Sequence, residues 1–517
     1  MQQDMPGTLS QRVVNVYKLE LEFWEPEGAL SAVKFGTSGH RGKLGAGFSA
    51  AHARAIAQAV ARLHIEDGLK GEILVGGDTR LMSRATAELC AEVLAGNGLK
   101  VCLAKKPLPT PVFSHEILSG RSCASLNGTA SHNPPDDMGL KYNPSHGGPA
   151  GSDITARIEL YANEYLSAPK QVKKTTMKKA REAGLLSERD LVGPYVKALG
   201  RMINFNALKN SGLRIGVHAL GGSSVEFYLA LAQEYGLANL KVVDKTCDPT
   251  FGFIPLDHDG KIRMDPSSRY PLRPLLELLE KGKCDFAGAS DPDADRFGAA
   301  TKAAGLVQPN HALSIALDYL FANRPEWPSV LGAGRTIGTT HLLDRICAKA
   351  GRTIDETDVG FKHFVDGIRG GRYALAGEES AGLSLYGWTP EKDGILAVLL
   401  LAEVMAVKGK DLSELYKVLT GVHGEPAYRR MDTPVSEEAR LKIKSLKASS
   451  FAAREIAGEK VTKLRDSDGI KVYLEDSWLL ARLSGTEPVV KLYAESFRGT
   501  AQLERVLKEG AAALGIA

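Results

Sequence analysis

The sequence predicts a multidomain α/β protein with an α+β C-terminal part, and three observations carry that prediction. Short apolar runs of strand length alternate with helix-length segments over most of the chain, as in mixed sheets covered by helices. The 517 residues exceed what one hydrophobic core supports, so three or four domains are expected. Past residue 434 the order changes to a helix, three strands and a final helix. In the first unit a strand is expected over 72–75, a helix over 83–95 and a strand over 100–103, with Gly96-Asn97-Gly98 stopping the helix. A strand over 122–126 leads into Thr129-Ala130-Ser131-His132-Asn133-Pro134, and the lysine-rich 170–181 reads as a solvated helix. After Asn210-Ser211-Gly212 come a strand at 213–217, a helix at 225–235 and a strand at 240–243; a further strand, 285–289, runs into the loop 290–296. The third unit holds a helix over 311–321, a strand over 335–338 and helices near Leu342 and Leu396. Residues 421–434 read as a linker, followed by helix 437–446, strands 470–474, 478–483 and 489–494, and helix 501–514. Three successive units end a strand in a polar loop, which suggests tandem similar domains.

Composition narrows the function. Hydrophobic residues make up 44% and charged residues 24%, as in soluble globular proteins. Against 61 acidic residues stand 65 basic ones, a net charge of +4 too weak and dispersed for a nucleic-acid or membrane partner. No apolar run approaches the roughly 20 residues that span a bilayer, and residues 1–10 lack the apolar stretch of a secretory signal. The six cysteines are scattered without a Cys-x-x-Cys pair, so reduced thiols in a cytoplasmic protein are expected. Without export, the sequon Asn127-Gly128-Thr129 is inert.

Chemistry concentrates in the loops. Asp291, Asp293 and Asp295 place three carboxylates at alternate positions, where mutual repulsion requires solvation or a shared cation. An all-oxygen set suits Mg²⁺. A calcium loop is excluded, because Arg296 and Lys302 stand where its glycine and closing glutamate belong. The stretch Lys34-Phe35-Gly36-Thr37-Ser38-Gly39-His40-Arg41-Gly42-Lys43 fails as a nucleotide P-loop, since five residues separate Gly36 from Gly42 and Leu44 follows the lysine. It remains a loop able to wrap an anion, or a plain turn. Arg482-Leu483-Ser484-Gly485-Thr486 reads as a hairpin turn or as a nest of N–H groups and hydroxyls for phosphate oxygens, with Arg482 adding charge. Gly377-Glu378-Glu379-Ser380 is a surface turn or a set of acceptors for sugar hydroxyls. Lys392 in Glu391-Lys392-Asp393-Gly394 stands at a helix start, where it can project into a cleft.

Ser131 lacks the Gly-x-Ser-x-Gly setting of a hydrolase nucleophile, and a triad does not place its base as the next residue. A phosphoserine, carrying about −2 charge, fits a chain that also supplies a cation site and a phosphate nest. Taken with the Asp291–Arg296, Gly377–Ser380 and Arg482–Thr486 loops in that order, Thr129–Pro134 resembles the α-D-phosphohexomutases. Lys34–Gly42 and Gly139-Leu140-Lys141-Tyr142-Asn143-Pro144 are similar to the glucose-type bacterial phosphoglucomutases of that family.

The resemblance implies four domains around a central cleft, three of them similar mixed α/β units and the last α+β: 1–205, 206–313, 314–424 and 425–517, each giving one loop. It implies that Ser131 carries the phosphate, with Asp291, Asp293, Asp295 and Ser131 itself as Mg²⁺ ligands. Arg41, His132 and Lys141 would stand beside the transferring phosphoryl group. Glu378 and Ser380 would bind sugar hydroxyls; Arg482, Ser484, Gly485 and Thr486 the idle phosphate; Arg296 and Lys392 the substrate. The implied reaction interconverts glucose 1-phosphate and glucose 6-phosphate through glucose 1,6-bisphosphate, in a monomer or homodimer. The alternatives are a phosphomannomutase, a phosphoglucosamine mutase, a silent phosphosugar-binding protein or a metal-dependent phosphatase. Members of the family that act on mannose carry a histidine where Gly382 stands, which favours glucose. Many relatives also have glycines in place of Pro292 and Ala294.

Overall fold

The computed structural model describes residues 5–10, 14–36, 39–434, 437–483 and 489–516. Four principal sheets follow one another along the chain. The first is built on parallel strands Glu72–Gly77, Lys100–Ala104, Ala124–Gly128 and Leu186–Arg189. The apolar runs of Glu72–Gly77 and Lys100–Ala104 are those of strands covered on both faces, here by helices such as Ser83–Gly96. Antiparallel strands Asp137–Asn143 and Gly39–Lys43 extend one edge. The second sheet has Ile215–His218, Leu240–Asp244 and Phe286–Ser290 in parallel; the third has Gly332–Thr336, Ile354–Thr357 and Tyr373–Glu378.

In each of the three sheets a parallel strand turns back into an antiparallel neighbour. Ala124–Gly128 returns as Asp137–Asn143, Phe286–Ser290 as Phe297–Thr301, and Tyr373–Glu378 as Gly382–Leu385. The serine loop, the aspartate loop and the sugar loop are these three connections. Each contains one non-glycine residue in the left-handed region: Ser131 at φ +54°, Ala294 at +50° and Ala381 at +68°. Such a residue costs on the order of 1 kcal/mol, so the surroundings must hold it. A glycine at the position of Ala294 would take this φ without strain.

One continuous core joins the first three units, from Leu74 and Phe113 through Phe286 to Leu313 and Leu399. Helix Gly394–Lys408 of the third unit lies on the second sheet so closely that a Cβ on Gly288 would meet Val398 Cγ1 at 2.3 Å. The last unit has its own core, including Ile470, Leu479 and Val506, under an antiparallel sheet. Two sequence expectations are corrected here. Residues 427–434 are not linker but strand Ala427–Pro434, paired with Val489–Ser496 at the sheet edge, and 421–423 end helix Leu412–His423. An exposed edge strand ending in proline carries little apolar alternation to find. The helix expected over 170–181 is only Met177–Glu182, preceded by a single 3₁₀ turn at Pro169–Gln171.

The last unit docks on the third through a charge network. Glu356 accepts from Arg335 at 2.6 Å within the third unit, and from Lys471 at 2.8 Å, Arg465 at 3.1 Å and the Tyr473 hydroxyl across the boundary. Burial alone would raise its pKa, but His341, Arg335 and Lys471 outweigh burial and hold it well below the ordinary 4.5. A depressed carboxylate contributes stability above that ordinary value and loses it as pH falls. Glu356→Gln should therefore cost about 3 kcal/mol near neutral pH, leaving buried cations short of a partner. Calorimetry of the last unit's transition should show the deficit constant above about pH 5 and narrowing as pH falls below about 4.5; a deficit unchanged down to about pH 3 would contradict it.

Candidate active site

The three hairpin loops converge. Ser131 is buried at the tip of the first and donates from Oγ to Asp291 Oδ2 at 2.6 Å, across the boundary between the first two sheets. The other Asp291 oxygen accepts from the Arg296 N–H at 2.9 Å, a link that folds the aspartate loop on itself. His132 Nδ1 stands 3.2 Å from Ser131 Oγ, and burial followed by the charge of Arg296 lowers its pKa to about 3, so the ring is neutral.

Asp293 and Asp295 share Lys141, whose Nζ donates to Asp293 Oδ2 at 2.6 Å and Asp295 Oδ2 at 2.7 Å. Lys141 comes from strand Asp137–Asn143, the return arm of the serine hairpin, so one hairpin supplies both the hydroxyl and the ammonium. Lys392 approaches the same Asp295 Oδ2 at 3.4 Å. Arg41 lies on strand Gly39–Lys43 opposite Gly139; a Cβ there would meet Arg41 Cγ at 2.8 Å and the Thr129 carbonyl oxygen at 2.8 Å. Its stem therefore crosses beside the serine loop.

The acids fit a divalent cation. Asp291, Asp293 and Asp295 are buried and each offers a ligand oxygen within 4.8 Å of the others, the one such group among the described residues. Asp293 Oδ1 and Asp295 Oδ1 are buried and have no hydrogen-bond partner, an arrangement that costs free energy unless a cation or donor completes it. Burial, then Asp293 and Asp295, push the Asp291 pKa well above its ordinary value. For Asp295 burial is opposed by Lys141, Lys392 and Arg296, which bring its pKa below the ordinary range. Ionising all three acids together therefore calls for positive charge beyond what Lys141, Lys392 and Arg296 bring to Asp291.

In the sugar loop the adjacent acids separate. Glu379 Oε2 accepts from Thr336 at 2.8 Å and Thr339 at 3.1 Å, bracing the loop on its own sheet. Glu378 is buried, and Ser380 Oγ donates to its Oε2 at 3.3 Å. Burial raises the Glu378 pKa while Lys392 opposes it. Lys392 is set by its successor Asp393, which caps helix Gly394–Lys408 at the Leu396 N–H and accepts from Tyr195 at 2.6 Å and Trp388 at 2.7 Å. Arg482 lies on the last sheet, its Nε donating to Asp468 Oδ1 at 2.7 Å. Ser484, Gly485 and Thr486 lie outside the described residues.

Sequence reasoning passed over Thr110 and Asn127. Thr110 Oγ1 donates to Asp293 Oδ2 at 2.6 Å and accepts from Asn127 Nδ2 at 2.8 Å. Asn127 is fully buried, which leaves a glycan no room at the formal sequon. The available signal was position: Thr110 opens a helix directly after a strand and a Pro-rich turn.

Four family models cover most of the chain. They are described as phosphoglucomutase/phosphomannomutase alpha/beta/alpha domains I, II and III, at residues 32–168, 193–305 and 308–421, and the C-terminal domain, at 438–513. A phosphoglucomutase of Komagataeibacter xylinus is 38% identical, over 96% of this chain and 94% of that protein. Phosphoglucomutase 1 of Drosophila melanogaster is 28% identical over 90% of both chains. The crystal structure of a phosphomannomutase homologue from Thermus thermophilus, described as putative, superposes with a TM-score of 0.77 at 28% identity, covering 94% of this chain and all of that one. With all four domain models matched in order, this chain belongs to the phosphoglucomutase/phosphomannomutase family.

Proposed function

We propose that the protein is a phosphoglucomutase, interconverting α-D-glucose 1-phosphate and α-D-glucose 6-phosphate through a phosphorylated Ser131. The observation that carries this reading is the 2.6 Å contact of Ser131 Oγ with Asp291, in a buried cluster whose other two acids share Lys141. The phosphoryl group leaves Oγ for the free hydroxyl oxygen of the bound monophosphate: the Oγ–P bond breaks, a sugar O–P bond forms, and the proton of that hydroxyl passes by way of neutral His132 to Ser131 Oγ, which is left as a hydroxyl. The resulting glucose 1,6-bisphosphate turns over, and its other phosphate returns to Ser131. Lys141 and Arg41 hold positive charge at the transfer site, while Glu378 and Ser380 orient the sugar. Arg296 and Lys392 bind substrate, and Arg482 with Ser484, Gly485 and Thr486 holds whichever phosphate is idle. Asp291, Asp293, Asp295 and Ser131 would hold Mg²⁺, which when bound supplies fixed positive charge against the negative charge of the transferring group.

Gly382 supports glucose over mannose as the substrate. A Cβ there would meet Lys392 Cδ at 2.3 Å, so a larger residue would displace the lysine. A phosphomannomutase or phosphoglucosamine mutase would use the same chemistry, and rates on mannose 1-phosphate and glucosamine 1-phosphate separate them. Net release of inorganic phosphate without isomer formation would mark a phosphatase; binding without turnover would mark a silent phosphosugar-binding protein. The direct test is peptide mass spectrometry after incubation with glucose 1,6-bisphosphate. Phosphate on the Ser131 peptide is expected, and turnover with that serine always unmodified would overturn the reading.

A further inference from the structure

Ser131 is held in its left-handed conformation from outside its own hairpin. The turn after strand Glu72–Gly77, Asp78-Thr79-Arg80, lies beneath the serine loop with Asp78 and Arg80 buried. The Arg80 guanidinium donates to four loop carbonyls: Ser131, Asn133 at 2.7 Å, Pro134 at 2.8 Å and Asp137 at 3.1 Å. Asp78 accepts from Thr129 Oγ1 at 2.6 Å, and the same Thr129 oxygen accepts the Ser131 N–H at 2.8 Å. Both backbone polar groups of Ser131 are thus fixed by one turn, the oxygen by Arg80 directly and the nitrogen by Asp78 through Thr129.

The same turn also ties the loop to the second unit. Thr79 Oγ1 donates to the Gly221 carbonyl at 2.7 Å, and Ser223 donates from both N and Oγ to the Pro292 carbonyl at 2.8 Å. A Cβ on the intervening Gly222 would meet Pro292 Cα at 2.3 Å. Asp78-Thr79-Arg80 therefore grips the serine loop directly and, through residues 221–223, reaches the aspartate loop that Ser131 must meet.

Resting on the phosphotransfer reading above, we infer that Arg80 is a positioning residue for the transfer step, fixing where Ser131 Oγ stands relative to Asp291 without itself touching substrate. Four carbonyls around one guanidinium suit a planar fork of five donors; a lysine, with three donors on one nitrogen, cannot reach them all. Loss of the fork frees the Ser131 carbonyl and lets the strained residue relax, moving Oγ away from its acceptor.

The test compares Arg80→Lys with the unaltered protein by kcat, KM for glucose 1-phosphate, melting temperature and amide exchange of the peptide 129–137. A displacement of about 1 Å should lower kcat roughly 10- to 100-fold. KM should stay nearly constant, and exchange in 129–137 should accelerate. A merely structural role would lower the melting temperature but leave kcat per folded molecule and loop exchange unchanged, and that result overturns the inference. Should Arg80→Lys fail to fold, Thr129→Val, which cuts only the arm through Asp78, is judged on the same readouts and the same criteria. If the unaltered protein turns over no hexose phosphate, the phosphotransfer reading falls, while loop exchange still decides whether Arg80 holds the loop.

Discussion

Ser131→Ala is expected to remove mutase turnover, by roughly 10⁴-fold or more, while the protein still folds and binds sugar phosphates. Folding should survive because alanine already occupies the left-handed position in the two sister loops, at Ala294 and Ala381. The substitution deletes the 3.2 Å contact of Ser131 Oγ with His132 Nδ1 and its short hydrogen bond to Asp291, whose other oxygen keeps the Arg296 N–H. A stability loss of about 1 kcal/mol follows from that bond. The side chains that would recognise the sugar and its idle phosphate are untouched, so glucose 1,6-bisphosphate should bind within a few-fold of its normal affinity. Calorimetric titration alongside a coupled glucose 6-phosphate assay measures both. Retained turnover would eliminate the phosphoserine; lost binding would make Ser131 part of the binding surface instead.

The three loops were legible because each is a polar run interrupting an apolar strand that then resumes. That pattern survives in sequence without any knowledge of pairing, and the hairpins at 128/140, 290/297 and 378/382 account for it. Their convergence was not legible from spacing. Ser131 and Asp291 stand 160 residues apart, and only the docking of the first two sheets joins them. Helix Ala50–Glu66 escaped because it is enclosed on most of its surface, and only the narrow stripe of Arg54, Arg62 and Glu66 marks its open side. Arg80 and Asp78 escaped for a related reason. In the serine loop their partners are backbone carbonyls, which accept from Arg80, and Thr129, which donates to Asp78, and groups of that kind carry no complementary charge to find in the sequence. Glu378 and Glu379 are indistinguishable as neighbours in the chain; the pleat sends one toward Lys392 and the other to Thr336 and Thr339.

The second large effect is expected at Lys141. Its ammonium is buried and donates to Asp293, Asp295 and, at 3.3 Å, Thr110. Burial disfavours the charge, yet the two aspartates outweigh it and raise the lysine's pKa, so the cation persists at any ordinary pH. Lys141→Met leaves two buried carboxylates with Lys392 at 3.4 Å from one of them. Breaking such a group from one side costs about 3–5 kcal/mol, which thermal unfolding in chelator should register. Mg²⁺ should restore more stability to the variant than to the unaltered protein, because Asp293 and Asp295 have then lost the internal cation that bridges them. Turnover should nevertheless stay roughly 10²- to 10³-fold down at saturating Mg²⁺, since a fixed donor at the transfer site is gone. Adding Asp293→Asn separates the two roles. It removes one of the orphaned charges, so stability in chelator should recover while turnover does not. Stability indifferent to Mg²⁺ would argue against a cation site among these acids, and full turnover at saturating Mg²⁺ would confine Lys141 to balancing their charge.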